Sequence, residues 1–284
     1  MSTDRIQGTD GIRGQICFAE SICSKDPISA FLNEGVLTEE FFELYTHAYC
    51  MELIDYKFAS ESDKVVIGCD PRDFSGLFYE AAVRGIRKAG LKAIRVDILP
   101  TPAISLYQLY VGAACGFVLT ASHNPSDQNG IKIFLGHSNL KLFPEDDKRL
   151  TRRCLQINYE ELKKAELIGE SCNEHLSAKN LFINFLTDSR NNWISDDTLE
   201  GSTIIFDCAN GAFSPLINEL NQIGSADYIF TNCDPSKGIN LKSGVADLEG
   251  VDYIYSEDLE NGLFSGYDSI SNIFKIGREQ RITL

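Results

Sequence analysis

The segment from Lys64 to Asp97 limits the fold more than any other. Lys64-Val-Val-Ile-Gly-Cys69 is a short apolar, β-branched run that ends at Asp70-Pro-Arg-Asp-Phe-Ser75. Residues 76–89 have helical spacing and stop at Gly90, and Lys92-Ala-Ile-Arg-Val-Asp97 reads as a second strand. A strand, a helix and a strand in this succession imply two parallel strands joined by a right-handed crossover, and so an α/β sheet. Such sheets present reactive groups on loops at the carboxyl ends of their strands. Asp70 and Arg72 stand at such an end, where they either cap the next helix or serve a ligand.

A second loop of this kind is chemically richer. Cys115-Gly-Phe-Val-Leu-Thr120 reads as a buried strand, Ala121-Ser-His-Asn-Pro125 follows it, and Ser126-Asp-Gln-Asn-Gly130 is a turn-forming run before the strand Ile131-Lys-Ile-Phe-Leu135. Ser122 is thereby displayed on a loop. Lys132 lies on the strand behind it, opposite in facing to Ile131 and Ile133. It is either a solvated lysine or a phosphate partner and proton carrier. A serine-hydrolase reading fails, because Ser122 and His123 are adjacent and no Gly-x-Ser-x-Gly elbow exists. Ahead of all this, Ile6-Gln-Gly-Thr-Asp-Gly-Ile-Arg-Gly14 holds three glycines. Its backbone can cradle an anion with Arg13 as forked donor, or it is simply a tight entry turn.

Charge narrows the partners. The 284-residue chain carries a net charge of −15, which repels nucleic acid and anionic membrane. A phosphorylated substrate then needs a local basic pocket. The nine cysteines lack metal-ligand or Cys-x-x-Cys spacing, and their odd number without a signal peptide points to a reducing, cytoplasmic setting. Ala103 to Ala121 is fairly apolar, but Gln108 and the glycines indicate helix then strand, with no membrane span. Residues 15–37 read as a looser insertion with Lys-Asp-Pro and Asn-Glu-Gly turns. Thr38 is placed to cap a helix, and Phe143-Pro to start another.

Thr120-Ala-Ser-His-Asn-Pro125 with Asn129-Gly-Ile-Lys132 behind it resembles the phosphoserine loop of the α-D-phosphohexomutases. Gly8-Thr-Asp-Gly-Ile-Arg-Gly14 resembles that family's opening, most closely its phosphoglucosamine mutase branch. Asp70-x-Arg72, Leu99-Pro-Thr-Pro, Asp207-Cys-Ala-Asn-Gly-Ala212 and Asn232 to Asn240 continue the likeness. The resemblance implies an α/β fold of two consecutive α/β/α-layered domains with mainly parallel sheets, at residues 1–165 and 166–284. These correspond to the first two of the family's four domains. It implies phosphoryl transfer on hexose phosphates through a phosphoserine, with hexose 1,6-bisphosphate as activator. Ser122, His123, Lys132 and Arg13 would be catalytic, and Thr9, Asp10, Arg72 and Asn124 would bind substrate or phosphate.

The family also holds Mg²⁺ on a loop Asp-Gly-Asp-x-Asp-Arg, whose hard anionic oxygens bind the ion that neutralises the transferring group. The best match is Tyr267-Asp-Ser-Ile-Ser-Asn272, followed by Phe274-Lys-Ile-Gly as an expected strand and turn. Asp268 and Asn272 would then join the Ser122 phosphate as metal ligands, with Ile270 in place of the second aspartate. Alternatively the stretch is a plain polar turn. The matching alternative in function is a catalytically inactive phosphosugar-binding or regulatory relative. Apolar surface where a third domain would pack favours a homo-oligomer or a C-terminal partner chain.

Overall fold

The computed structural model describes residues 5–8, 10–22, 26–73, 75–191, 197–220, 225–245, 248 and 251–280. Thr9 lies outside the described residues. The chain divides into two compact units: Met1–Ser122 with Asp127–Phe182, and His123–Ser126 with Ile183–Leu284.

The first unit is built on a seven-stranded sheet. Its strands are β1 (Ile12–Ile16), β2 (Val36–Leu37), β3 (Lys64–Cys69), β4 (Lys92–Ile98), β5 (Cys115–Leu119), β6 (Gln128–Leu135) and β7 (Ser171–Asn173), in the order β2-β1-β6-β5-β3-β4-β7. β3 pairs parallel with both β4 and β5, β4 with β7, and β1 with β2; only β6 runs antiparallel to its neighbours. The sheet is therefore mainly parallel. Its seventh strand comes from beyond residue 165.

Alternation along the strands sorts the core into two faces. Val65, Ile67, Phe117, Leu119, Ile131 and Ile133 join one cluster with Phe42, Tyr45 and Ala82. Those partners lie on α2 (Glu39–Asp55) and α3 (Leu77–Lys88). Gly68 faces the other way, where a Cβ would meet Ile104 of α4 (Thr101–Tyr110) at 2.5 Å. Helices thus cover both faces, as parallel strands require. α5 (Pro144–Gln156) and α6 (Tyr159–Lys164) add Leu150, Cys154, Tyr159 and Leu162 to the first cluster.

Thr38 caps α2 by accepting from Phe41 N, as its position predicts. The expectation of a loose insertion at 15–37 is corrected. This segment holds the end of β1, helix α1 (Pro27–Glu34) and β2. Asp26 caps α1, Pro27 occupies its first turn, and Gly35 ends it with φ 71°. The residues read as turns are the two ends of a helix, because the same side chains suit both.

The second unit has a two-stranded parallel sheet of β8 (Thr203–Asp207) and β9 (Asp227–Thr231). Its helices are α7 (His175–Thr187, which begins in the first unit), α8 (Ile217–Leu220), α9 (Ser256–Glu260) and α10 (Asp268–Gln280). The Asp207 carboxylate accepts from Ala209 N (2.8 Å), Asn232 Nδ2 (3.1 Å) and Gly244 N (3.1 Å). One half-buried acceptor thereby ties together three loops at the ends of the strands.

Candidate active site

Ser122 leaves the carboxyl end of β5 with φ 58°, in the left-handed region that a residue with a Cβ rarely occupies. A set of directed bonds holds it there. Ser122 N donates to Thr120 Oγ1 at 2.8 Å, and Thr120 Oγ1 donates to Asp70. Arg72 Nε donates to both Asp70 oxygens at 2.9 Å. Arg72 Nη2 donates to Ser122 O at 2.8 Å and Nη1 to Gln128 O at 2.6 Å. The Arg72 side chain is fully buried. Burial pushes the Asp70 carboxyl up, while the Arg72 charge and the Thr120 bond pull against that rise.

These contacts give Arg72 a second task beside the one expected of it. It was expected at the phosphate, yet all three of its donor nitrogens bond to protein acceptors around the serine loop. These bonds tie Arg72 to the serine loop and to β6, and the N-cap of α3 is Gly76 rather than Asp70 or Arg72. The turn expected at residues 126–130 is shorter than its composition suggests, since Gln128, Asn129 and Gly130 already belong to β6 and pair with β1. Gly130 is required there: a Cβ would lie 2.1 Å from Ile12 O.

Pairing of Ile12 with Ile131 turns both inward. Arg13 and Lys132 consequently share the opposite face. There they meet one carboxylate. Asp10 Oδ2 accepts from Arg13 Nη2 at 2.8 Å and pairs with Lys132 Nζ at 3.0 Å, and Asp10 Oδ1 pairs with Lys141. Three cations around one anion leave a local charge of +2 in an acidic chain. Arg13 sits opposite Gly130, and Thr120 N donates to Gly130 O at 2.9 Å. Arg13 is therefore two strands from Thr120, about 10 Å at the usual strand spacing.

Burial alone would raise the Asp10 pKa, but the Lys141 and Lys132 bonds outweigh it and lower the value from 3.8 to about 2. A depressed carboxylate stabilises the fold above its unfolded pKa and loses that contribution as pH falls through the folded value. The expected window is therefore pH 3.8 down to about 2. Asp10 is a third exposed, so screening keeps the contribution below about 1 kcal/mol. A carboxyl-carbon NMR titration should place Asp10 near the low value, and Lys141→Met should move it up. No movement would mean that the Lys141 pair does not form in solution.

Two expected residues fall in the second unit. His123 is exposed, and Asn124 O accepts from Asn240 Nδ2 at 2.9 Å.

Comparison with known proteins identifies the family of this chain. The alpha/beta/alpha domain I of phosphoglucomutase/phosphomannomutase matches residues 4–161, more than half of the chain. The chain belongs to the phosphoglucomutase/phosphomannomutase family. Among curated relatives, phosphoglucosamine mutase of Psychromonas ingrahamii is 30% identical over 90% of this chain and 52% of its own length. That of Thermobifida fusca is 31% identical over 92% and 52%. The chain spans about half the length of the curated relatives it matches. A phosphoglucomutase/phosphomannomutase family protein from Burkholderia thailandensis superposes with a TM-score of 0.56 at 18% identity, covering 82% of this chain and 45% of that one. A putative phosphomannomutase from Thermus thermophilus gives 0.56 at 20% identity, covering 81% and 46%. These two likenesses speak for the fold.

The family's metal loop finds no counterpart at the expected place. Asp268 to Asn272 is neither a loop nor a plain turn but the start of α10, and the strand expected after it is the rest of that helix. Ile270 is 2% exposed, and Ser269 beside it is also buried. One exposed carboxylate and an amide one turn later do not fit Mg²⁺, which takes several hard oxygens. Among the described residues no group of three or more His, Cys, Asp or Glu could hold a metal ion. No helix among them is long and apolar enough to cross a membrane.

Sequence reasoning missed Lys141 and Thr120. Lys141 reaches Asp10 because it bridges back to Phe134 across the turn that follows β6. Nothing in its own neighbourhood signals that. Thr120 sits inside the matched motif, and its position as the last residue before the loop was the available signal.

Proposed function

We propose that this chain takes part in phosphoryl transfer on hexose phosphates, with Ser122 as the residue that carries the phosphoryl group. The observation that carries the reading is the braced, left-handed Ser122 at the end of β5, together with the +2 cluster of Arg13, Lys132, Lys141 and Asp10. That charge matches a phosphoryl dianion. In the transfer, the Ser122 Oγ–P bond breaks as an oxygen of the sugar bonds to phosphorus, and the sugar hydroxyl proton passes to Ser122 Oγ with Lys132 as carrier. The bisphosphate then turns and returns a phosphoryl group from its other position. Arg13 offers the forked contact to the group in flight, and positioning and charge neutralisation supply most of the rate. Relatives named phosphoglucosamine mutase favour a hexosamine phosphate as substrate. Free thiols suit a reducing, cytoplasmic setting.

A second reading is favoured by the buried Ile270 on α10. It is a relative that binds phosphosugar without turnover. Peptide mass spectrometry separates the two. The protein is compared as isolated and after glucosamine 1,6-bisphosphate, with and without Mg²⁺. Phosphate on Ser122 that exchanges with labelled sugar phosphate supports transfer. An unmodified Ser122 under every condition, in folded protein, would overturn it and leave the binding reading.

A further inference from the structure

Two thiols meet where the strands of the second unit end. β8 and β9 pair parallel with Asp207 opposite Thr231 as their last pair. Cys208 is the first residue past that pair on one strand, and Cys233 the second past it on the other. At the usual strand spacing their Cα atoms are about 6 Å apart, inside the range of about 4.4–6.8 Å that a disulfide spans. In extended chain the two side chains would still point to opposite faces, because they differ by one step in register. Asn232 removes that obstacle. Its backbone is left-handed, with φ 51°, and its Nδ2 donates to Asp207 Oδ1 at 3.1 Å. Cys233 is thereby turned back toward Cys208. Thr231 O accepts from both Cys208 N at 3.0 Å and Cys233 Sγ at 3.2 Å, and the two sulfurs hydrogen-bond each other.

Access singles this pair out. Among the described residues every cysteine is a free thiol. Cys50 and Cys115 also hydrogen-bond each other, but neither has any accessible surface, so a dissolved oxidant does not meet them in the folded chain. Cys208 is 6% exposed, whereas Cys233 is only half-buried. Burial pushes both thiols up, yet the bond from Cys208 opposes the rise at Cys233 and so favours the thiolate there. An accessible sulfur that accepts a hydrogen bond from a buried one suits an attacking and a resolving thiol.

We propose that Cys208 and Cys233 form a reversible disulfide in the folded protein, driven by a low-molecular-weight disulfide such as oxidised glutathione. The Cys233 thiolate attacks one sulfur of that disulfide, its S–S bond breaks, and one glutathione leaves as the thiolate. The Cys208 thiolate then attacks Cys233 Sγ in the mixed disulfide and expels the second glutathione. Two protein thiols are oxidised, one disulfide is reduced to two thiols, and the two protein protons pass to the departing glutathiones. The new bond replaces the Cys233 contact with Thr231 O and ties the loop after β8 to the loop after β9. No residue of the candidate active site takes part.

The test uses the full chain, equilibrated over a series of reduced-to-oxidised glutathione ratios, then alkylated and mapped by peptide mass spectrometry. The Cys208 and Cys233 peptides should appear linked and escape alkylation, and dithiothreitol should restore both thiols. Cys50 and Cys115 should stay reduced. Urea should unfold the second unit at a midpoint about 1 M higher in the oxidised protein, because the closed loop restricts the unfolded chain. Cys208→Ala should halt the reaction at a glutathione adduct on Cys233, and Cys233→Ser should give neither adduct nor disulfide. Where a variant fails to fold, the map of the unchanged chain decides alone. Alkylation of both cysteines at every ratio, in folded protein, would overturn the proposal. So would a lasting adduct on Cys233 in the unchanged chain, or a link from either cysteine to any other.

Discussion

Ser122→Ala is expected to abolish phosphoryl exchange with hexose phosphates, by at least about 10³-fold, while leaving stability within about 0.5 kcal/mol. The serine already pays for a left-handed backbone at φ 58°, and alanine meets the same cost. The Thr120 Oγ1 bond goes to Ser122 N, and Arg72 binds Ser122 O, so the substitution removes neither. Only the Oγ is lost. Ser122→Gly sharpens the test. Glycine relieves the strain and should raise stability by about 1 kcal/mol in a denaturant melt, while transfer stays absent. A more stable protein without transfer assigns the defect to chemistry. If the alanine variant kept exchange near the wild-type level, Ser122 would not carry the phosphoryl group.

What the sequence makes legible follows from how local the signals are. The Lys64–Cys69 and Lys92–Ile98 strands and their crossover helix are stated by short-range pattern, and they pair parallel as expected. The serine loop is legible because one contiguous motif carries it. Arg72 is different. Its spacing from Asp70 is plain in the sequence, but its use depends on Gln128 and Ser122, which are more than 45 residues away. Lys141 is hidden for the same reason, as 131 residues separate it from Asp10. The α10 error has another origin. Ile270, Ile273 and Phe274 stand at i, i+3 and i+4, which is helical spacing, but alignment to a loop was given more weight than period.

Asp70→Ala should cost about 3–5 kcal/mol, because it strands a fully buried guanidinium without its carboxylate. It also removes the acceptor of Thr120 Oγ1, which in turn orients Ser122 N. Urea denaturation reads the first effect, and phosphate occupancy at Ser122 reads the second. The double variant Asp70→Ala with Arg72→Leu separates them. With both charges gone, the penalty of the unpaired guanidinium disappears, and much of the stability should return. Occupancy at Ser122 should not return, because the carbonyls of Ser122 and Gln128 have lost the donor that ties the loop to β6. Recovery of both together would make the pair a matter of stability alone. Loss of less than about 1 kcal/mol in the single variant would mean that solvent or another cation answers Arg72, and that the brace lies elsewhere. The buried pair thus spends its directional bonds on a backbone conformation that serine would not otherwise hold, at the carboxyl end of β5.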